Sequence, residues 1–280
     1  MRELNVKIIT YTISKMCQEA NFYLPNDIRM ALDEAREREQ VPLASSVISD
    51  IIQNYKIAES ERMPICQDTG LACVFMEIGQ DVHFVGGSLN DAINEGVRRG
   101  YEEGYLRKSV VRDPIDRVNT KDNTPAMIYY SITEGDRVKI TFAPKGGGSE
   151  NMSRIKMLKP ADGIDGVKEF VLETVKLAGS NPCPPIVLGI GIGGNFDKVA
   201  YLAKKALLRP IDTKNEMQMY ATLEEELLQE INALGIGPQG YGGVTTALGV
   251  NIEVMPTHIA QLPCAVNVGC HVTREMTALV

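Results

Sequence analysis

Two chemistries overlap in residues 181–198, NPCPPIVLGIGIGGNFDK. Gly189, Gly191 and Gly194 fit the G-x-G-x-x-G spacing that lets backbone amides cradle the phosphates of a dinucleotide. An apolar run precedes them, Asn195 or Asp197 can open a helix after them, and Asp212 lies further on, where such folds place a ribose contact. The plainer alternative is a strand-to-helix turn whose glycines permit close packing. That alternative is favoured, because the motif comes late in the chain and no clear βαβ repeat follows. Just upstream, Cys183 stands between Pro182 and Pro184, in a stiff loop able to present a thiolate to a metal.

Three of the six cysteines lie in loops. Cys66 sits in PICQDTG, Cys183 in NPCPPI and Cys270 in NVGCHVTRE. The other three read as small core residues: Cys17 on a helix, Cys73 inside a strand and Cys264 in an apolar strand beside Pro263. There is no C-x-x-C pair, which argues against a zinc ribbon or finger. A metal site built from Cys66, Cys183 and Cys270 has to be assembled by the fold. Composition and spacing alone do not single the three out.

The elements that must position these loops follow from periodicity. Residues 2–19 read as a helix on Val6, Ile9, Ile13 and Met16. Asn26 caps a second helix, and a third follows Pro42 with Val47, Ile48, Ile51, Ile52 and Tyr55 on one face. LACVFMEIG and DVHFVGG read as strands paired around Gly79, and Ser88 caps a helix to about Gly100. TPAMIYYSI and DRVKITFAP read as a second pair joined by the turn TEGD. Helices are expected at 164–178, from 195 to Pro210, and at 214–233, with strands at PPIVLGI, TTALGVNIEVM and LPCAVNVGC. Helices and strands are partly segregated, which predicts an α+β fold: a helical N-terminal part, then mixed strands and helices in one compact domain, 1–280.

The chain of 280 residues is 44% hydrophobic, enough for a sizeable core. No run reaches the roughly 18 apolar residues of a membrane span, and the N-terminus lacks a signal-peptide pattern, so a soluble cytoplasmic protein is expected. The net charge of −7 argues against nucleic acid as a partner.

PICQDTG, GGGSENMSR, NPCPPIVLGIGIGG, KKALLRPI, LGIGPQGYGG and MPTHIAQLPCAVNVGCH together resemble the alpha subunit of the iron–sulfur hydro-lyases, the class I fumarate hydratases and L-tartrate dehydratases. The resemblance runs from about residue 5 to residue 275. It implies a [4Fe-4S] cluster held by three thiolates, Cys66, Cys183 and Cys270, with one iron left open to bind substrate oxygen as a Lewis acid. It further implies Asp68 as a proton carrier, Gln67 as a polar anchor, and His258 as a substrate ligand or proton donor. Backbone amides at Gly147 and Gly148 would receive a carboxylate. Arg107 would clamp the dicarboxylate, with a guanidinium suited to bidentate binding. Read without the family, Asp68 stabilises a turn, the glycines end a hairpin, and the basic stretch around Arg98 and Arg99 is a solvated helix end. His271 reads as structural or as supporting the cluster, and His83 as structural.

The implied reaction is reversible hydration of fumarate to L-malate, which the GGGSENMS continuation favours, with L-tartrate dehydration as the alternative. A β subunit is expected to carry the remaining substrate groups and the catalytic base, in a dimer of alpha–beta units. Oxygen sensitivity follows from an open iron. From other classes, a nucleotide-dependent oxidoreductase and a non-catalytic iron–sulfur scaffold stay open.

Overall fold

The computed structural model describes all of residues 1–280. In chain order, β1 (Arg2–Asn5) leads into α1 (Val6–Phe22), α2 (Asn26–Arg38) and α3 (Pro42–Glu61). β2 (Leu71–Gly79), β3 (Val82–Val85) and α4 (Leu89–Glu103) follow, then β4 (Met127–Thr133) and β5 (Val138–Lys145). A one-turn α5 (Gly147–Glu150) precedes β6 (Arg154–Leu158), α6 (Gly163–Ala178) and β7 (Ile186–Gly194). The chain closes with α7 (Phe196–Ala206), α8 (Gln218–Asn232), β8 (Ala247–Thr257), β9 (Leu262–Gly269) and β10 (Met276–Leu279). The α+β class expected from the sequence holds. Contacts group the residues into two units: Met1–Leu24, Tyr55–Gly147 and Arg274–Val280 form the first, and Pro25–Asn54 with Gly148–Thr273 the second.

In the first unit four strands run in the order β10-β5-β2-β4. β2 is central, antiparallel to β5 and parallel to β4. Seven of its nine residues are buried, and that is why LACVFMEIG reads as a nearly continuous apolar run instead of alternating. Its predicted partner was the segment after Gly79. β3 instead pairs in parallel with β1, a strand hidden at the start of the expected first helix. Nor do β4 and β5 pair with each other, because β2 separates them. Short-range turn signals suggested hairpins, and the buried apolar strand won the central position from both. α1 is capped by the Asn5 side chain, which accepts the Lys7 amide, and it buries Ile9, Ile13 and Met16 against Val74, Ile93, Ile140 and Phe142.

In the second unit the order is β6-β9-β7-β8, with β7 parallel to β8 and antiparallel to β9. Strand alternation explains the glycine-rich sequence of β7. Leu188, Ile190 and Ile192 point into the core formed with α6 and α8, beside Val171, Leu227 and Ile231. Gly189 and Gly191 face α7. A Cβ at Gly189 would sit 2.2 Å from the Ala203 carbonyl oxygen, and one at Gly191 would sit 2.3 Å from that of Val199. These two glycines therefore lie inside a strand and admit a helix, so the phosphate-loop geometry does not form around them. Gly191→Ala is expected to lower the unfolding free energy by about 1–3 kcal/mol, since the new methyl must push α7 outward. Urea titration measures this, and unchanged stability would return the motif to the phosphate reading.

No helix is long and apolar enough to cross a membrane.

Candidate active site

Within the first unit the sequence-predicted residues gather around the loop between α3 and β2. The Ile65 amide donates to the Asn21 carbonyl on α1, 3.0 Å, and the chain then turns through Cys66, Gln67 and Asp68. The Cys66 sulfur is half-buried and accepts the Asp68 amide at 3.4 Å, while its thiol lies 3.5 Å from Gln67 Oε1. Gln67 is exposed. The Asp68 carboxylate is held by two backbone donors. The Gly70 amide reaches Oδ1 at 3.0 Å, and the Gly147 amide reaches Oδ2 at 2.8 Å. Gly146 adds room, since a Cβ there would come 3.2 Å from Asp68 Oδ2. Gly70 takes a left-handed φ of +70°, and a Cβ on it would strike Lys145 backbone atoms at 2.6 Å. The Asp68 carboxylate thus shapes the turn and also meets the glycine loop.

Arg107 enters through its backbone. Its carbonyl accepts the Thr69 hydroxyl at 3.1 Å, while its side chain is exposed. Arg98 and Arg99 are tied to Glu95, and Arg98 also to Asp122, which fits the helix-end reading.

Within the second unit Cys183 and Cys270 are brought to one end of the sheet. Cys183 precedes β7, and Cys270 follows Gly269, whose partner across β9 and β7 is Val187. Cys183 is exposed and has a left-handed φ of +56°, rare outside glycine. The His271 amide donates to the Cys183 carbonyl at 3.3 Å, and His271 Nδ1 lies 2.9 Å from the same oxygen. Gln239, also left-handed at +52°, donates both its amide and its side-chain Nε2 to the Pro184 carbonyl, each at 2.8 Å. Gln239 Nε2 also lies 3.2 Å from His271 Nδ1. His271 therefore supports the Cys183 loop from the residue after Cys270. The motif LGIGPQGYGG thus supplies a glutamine that braces a cysteine loop, a role that no local pattern marks. Thr273 closes the other side, donating its amide and hydroxyl to the Cys270 carbonyl at 3.0 and 2.7 Å. Gly148, in this unit, is the second residue of the short α5, whose Glu150 is fixed by Lys204 and Asn267.

His258 lies apart from Cys183 and Cys270. It lies in the exposed loop that joins β8 to β9 past the end of β7, where its Nδ1 accepts the Ala260 amide at 3.2 Å. β8 runs parallel to β7 and ends with Thr257 beside Gly194. Cys183 and Cys270 lie at the opposite end, about 30 Å away over a nine-residue strand. The parallel register, which local sequence does not reveal, carries His258 out of reach of Cys183 and Cys270.

The donor set suits an iron–sulfur group. None of the six cysteines forms a disulfide, and they divide cleanly. Cys17, Cys73 and Cys264 are buried; burial pushes the Cys17 thiol well up and that of Cys264 to about 12, so both stay protonated and inert at neutral pH. Cys66, Cys183 and Cys270 are the accessible soft donors, each on a loop braced by hydrogen bonds. Within neither unit do three or more Cys, His, Asp or Glu side chains form a ready metal site. The accessible thiols are divided between the units, one in the first and two in the second.

Comparison with known proteins points to one family. A Methanocaldococcus jannaschii protein, provisionally named as an L(+)-tartrate dehydratase subunit alpha, is 45% identical over 273 residues, 95% of each chain. The L(+)-tartrate dehydratase subunit alpha of Escherichia coli K12 is 31% identical over 279 residues, 98% of this chain and 91% of that one. The sequence model of the fumarate hydratase (Fumerase) family matches residues 10–279, and the chain belongs to that family.

Proposed function

We propose that this chain is the alpha subunit of an iron–sulfur hydro-lyase that adds water to, or removes it from, a four-carbon dicarboxylate. The observation that carries the reading is the meeting of Asp68 and Gly147 at 2.8 Å, 79 positions apart in sequence, two residues beyond the accessible Cys66 thiol. Family membership and the subunit names of the relatives support it.

Cys66, Cys183 and Cys270 would hold a [4Fe-4S] cluster, which when bound supplies Lewis acidity toward a substrate hydroxyl and carboxylate. The protein's own groups do the rest. Asp68 moves a proton at its Oδ2, the oxygen facing the glycine loop. The amides of Gly147 and Gly148 receive a substrate carboxylate. The Gly147 amide donates to Asp68, so a substrate carboxylate taking that donor would replace the Asp68 oxygen and free it. Exposed Arg107 and Gln67 orient the substrate's other polar groups. His258, about 30 Å from Cys183 and Cys270 along β7, would act on substrate from a neighbouring subunit.

Fumarate and L-malate are the primary substrate pair, consistent with the GGGSENMS continuation. L-Tartrate is the second reading, favoured by the names of the relatives. Steady-state assays of this chain with its β subunit, under anaerobic conditions, decide between them. Turnover of L-malate well above that of L-tartrate is expected. The reverse order would establish the second reading, and no turnover of either would refute the hydro-lyase assignment. The chain without its partner is expected to be nearly inactive.

A further inference from the structure

Arg274 is 5% exposed. A full charge taken from water at that depth costs several kcal/mol unless it is hydrogen-bonded, so its contacts report what the fold needs it for. Its Nη2 donates to Asn21 Oδ1 at 2.9 Å and to the Asp68 carbonyl at 3.1 Å. Asn21 is fully buried on α1 and spends its own amide N–H on the Cys17 carbonyl, which leaves Oδ1 for the guanidinium. The backbone carbonyl of the same Asn21 accepts the Ile65 amide. One α1 residue therefore anchors the chain on both sides of Cys66 and Gln67, directly at Ile65 and through Arg274 at Asp68.

The next two carbonyls are also capped by side chains. The Tyr101 hydroxyl donates to Thr69 at 2.6 Å and is 3.1 Å from the Gly70 carbonyl, which also accepts Asn123 Nδ2 at 3.1 Å. Burial pushes the Tyr101 phenol well above its usual range, so it remains a donor. Asn123 in turn accepts the Ser109 amide, and Thr69 holds the Arg107 carbonyl. Three successive carbonyls, at 68, 69 and 70, thus end on buried donors, although the loop has no regular secondary structure to fix them. Both bonds leave Nη2, whose two N–H groups are fixed in the guanidinium plane, whereas the rotating ammonium of a lysine on a flexible stem would not hold the two acceptors in one geometry.

We propose that Arg274 is a positioning residue that clamps the Asp68 carbonyl to Asn21 and so fixes the Cys66–Gly70 loop with the Asp68 carboxylate aimed at Gly147. Its catalytic consequence rests on the hydro-lyase reading above; its structural consequence does not. The test pairs hydrogen–deuterium exchange on the full chain with kinetics of the complex. In Arg274→Met, amides 65–70 are expected to exchange about tenfold faster or more, while peptides from β2 and β5 stay within about twofold of wild type. Arg274→Lys is expected to fall between, and it decides the matter alone if the methionine variant does not fold. In the complex, kcat is expected to drop about 100-fold in Arg274→Met with KM changed less than about threefold, and the lysine variant to recover part of the loss. Unchanged exchange at 65–70, or a uniform rise that includes β2 and β5, would overturn the assignment. If the wild-type complex turns over no hydroxydicarboxylate, the hydro-lyase reading fails and the exchange experiment still decides the role of Arg274.

Discussion

Changing Asp68 to asparagine is expected to lower kcat of the assembled enzyme about 10²–10⁴-fold, the usual cost of losing a positioned proton carrier. The carboxylate accepts one amide at each oxygen, Gly70 at Oδ1 and Gly147 at Oδ2. Asparagine can serve only one of them and turns an N–H₂ toward the other. The variant therefore loses the transferable proton and also misplaces the glycine loop. Because Gly147 is also a proposed carboxylate donor, KM is expected to rise, by a smaller factor than kcat falls. The fold should survive, since the core of the first unit is formed by Ile9, Ile13, Ile140 and Phe142, none of which depends on this side chain. Rapid kinetics on the complex, with thermal unfolding as a control, checks both parts. A change confined to KM would reduce Asp68 to a binding residue.

The largest effect on stability is expected at Glu224. Its side chain is 7% exposed and ion-paired to Arg209. Glu224 Oε1 also accepts the Ile252 amide of β8 at 2.7 Å, and Oε2 accepts the Asn215 amide at 3.1 Å. Arg209 Nη2 donates to Asn251 Oδ1 at 3.1 Å, and Asn251 Nδ2 donates to the Ala206 and Arg209 carbonyls. Glu224→Ala removes the partner of a half-buried guanidinium and leaves the Ile252 strand amide unsatisfied, at a cost of about 2–4 kcal/mol. Glu224→Gln keeps an acceptor but removes the charge and should cost less. Denaturant titration of the two variants gives the comparison. Equal stability of wild type and Glu224→Ala would mean that the pair is no more than neutral.

Sequence patterns revealed some of this architecture and concealed other parts, for physical reasons. Long amphipathic helices were legible because their period is local: α2, α3 and α4 start within a few residues of their predicted caps. Buried strands were recognisable as elements, but their partners were not. β2 takes β4 and β5, and β3 takes β1, pairings set by which apolar face needs covering and not by the nearest turn. The strands β6 and β10, five and four residues long, are too short to show a period. At the site, the loop settings of Cys66, Cys183 and Cys270 were visible, yet what marks the three off from Cys17, Cys73 and Cys264 is burial, a tertiary quantity. Gln239, Asn21 and Arg274 lay outside the prediction altogether. Each acts by bonding to the backbone of a residue distant in sequence, and such contacts leave no spacing rule. The glycines of β7 show the converse. Their spacing matches a phosphate loop, but their faces are decided by strand alternation against α7.

The central claim is that three particular thiols hold one iron–sulfur cluster. Anaerobic iron and sulfide determination tests it most directly, on the wild-type complex and on Cys66→Ser, Cys183→Ser and Cys270→Ser, with Cys264→Ser as the buried control. About four irons and four sulfides per chain are expected in the wild type and the control, with severe loss in each of the other three. Iron and sulfide retained at wild-type levels in those three variants, or absent from the wild type, would contradict the account.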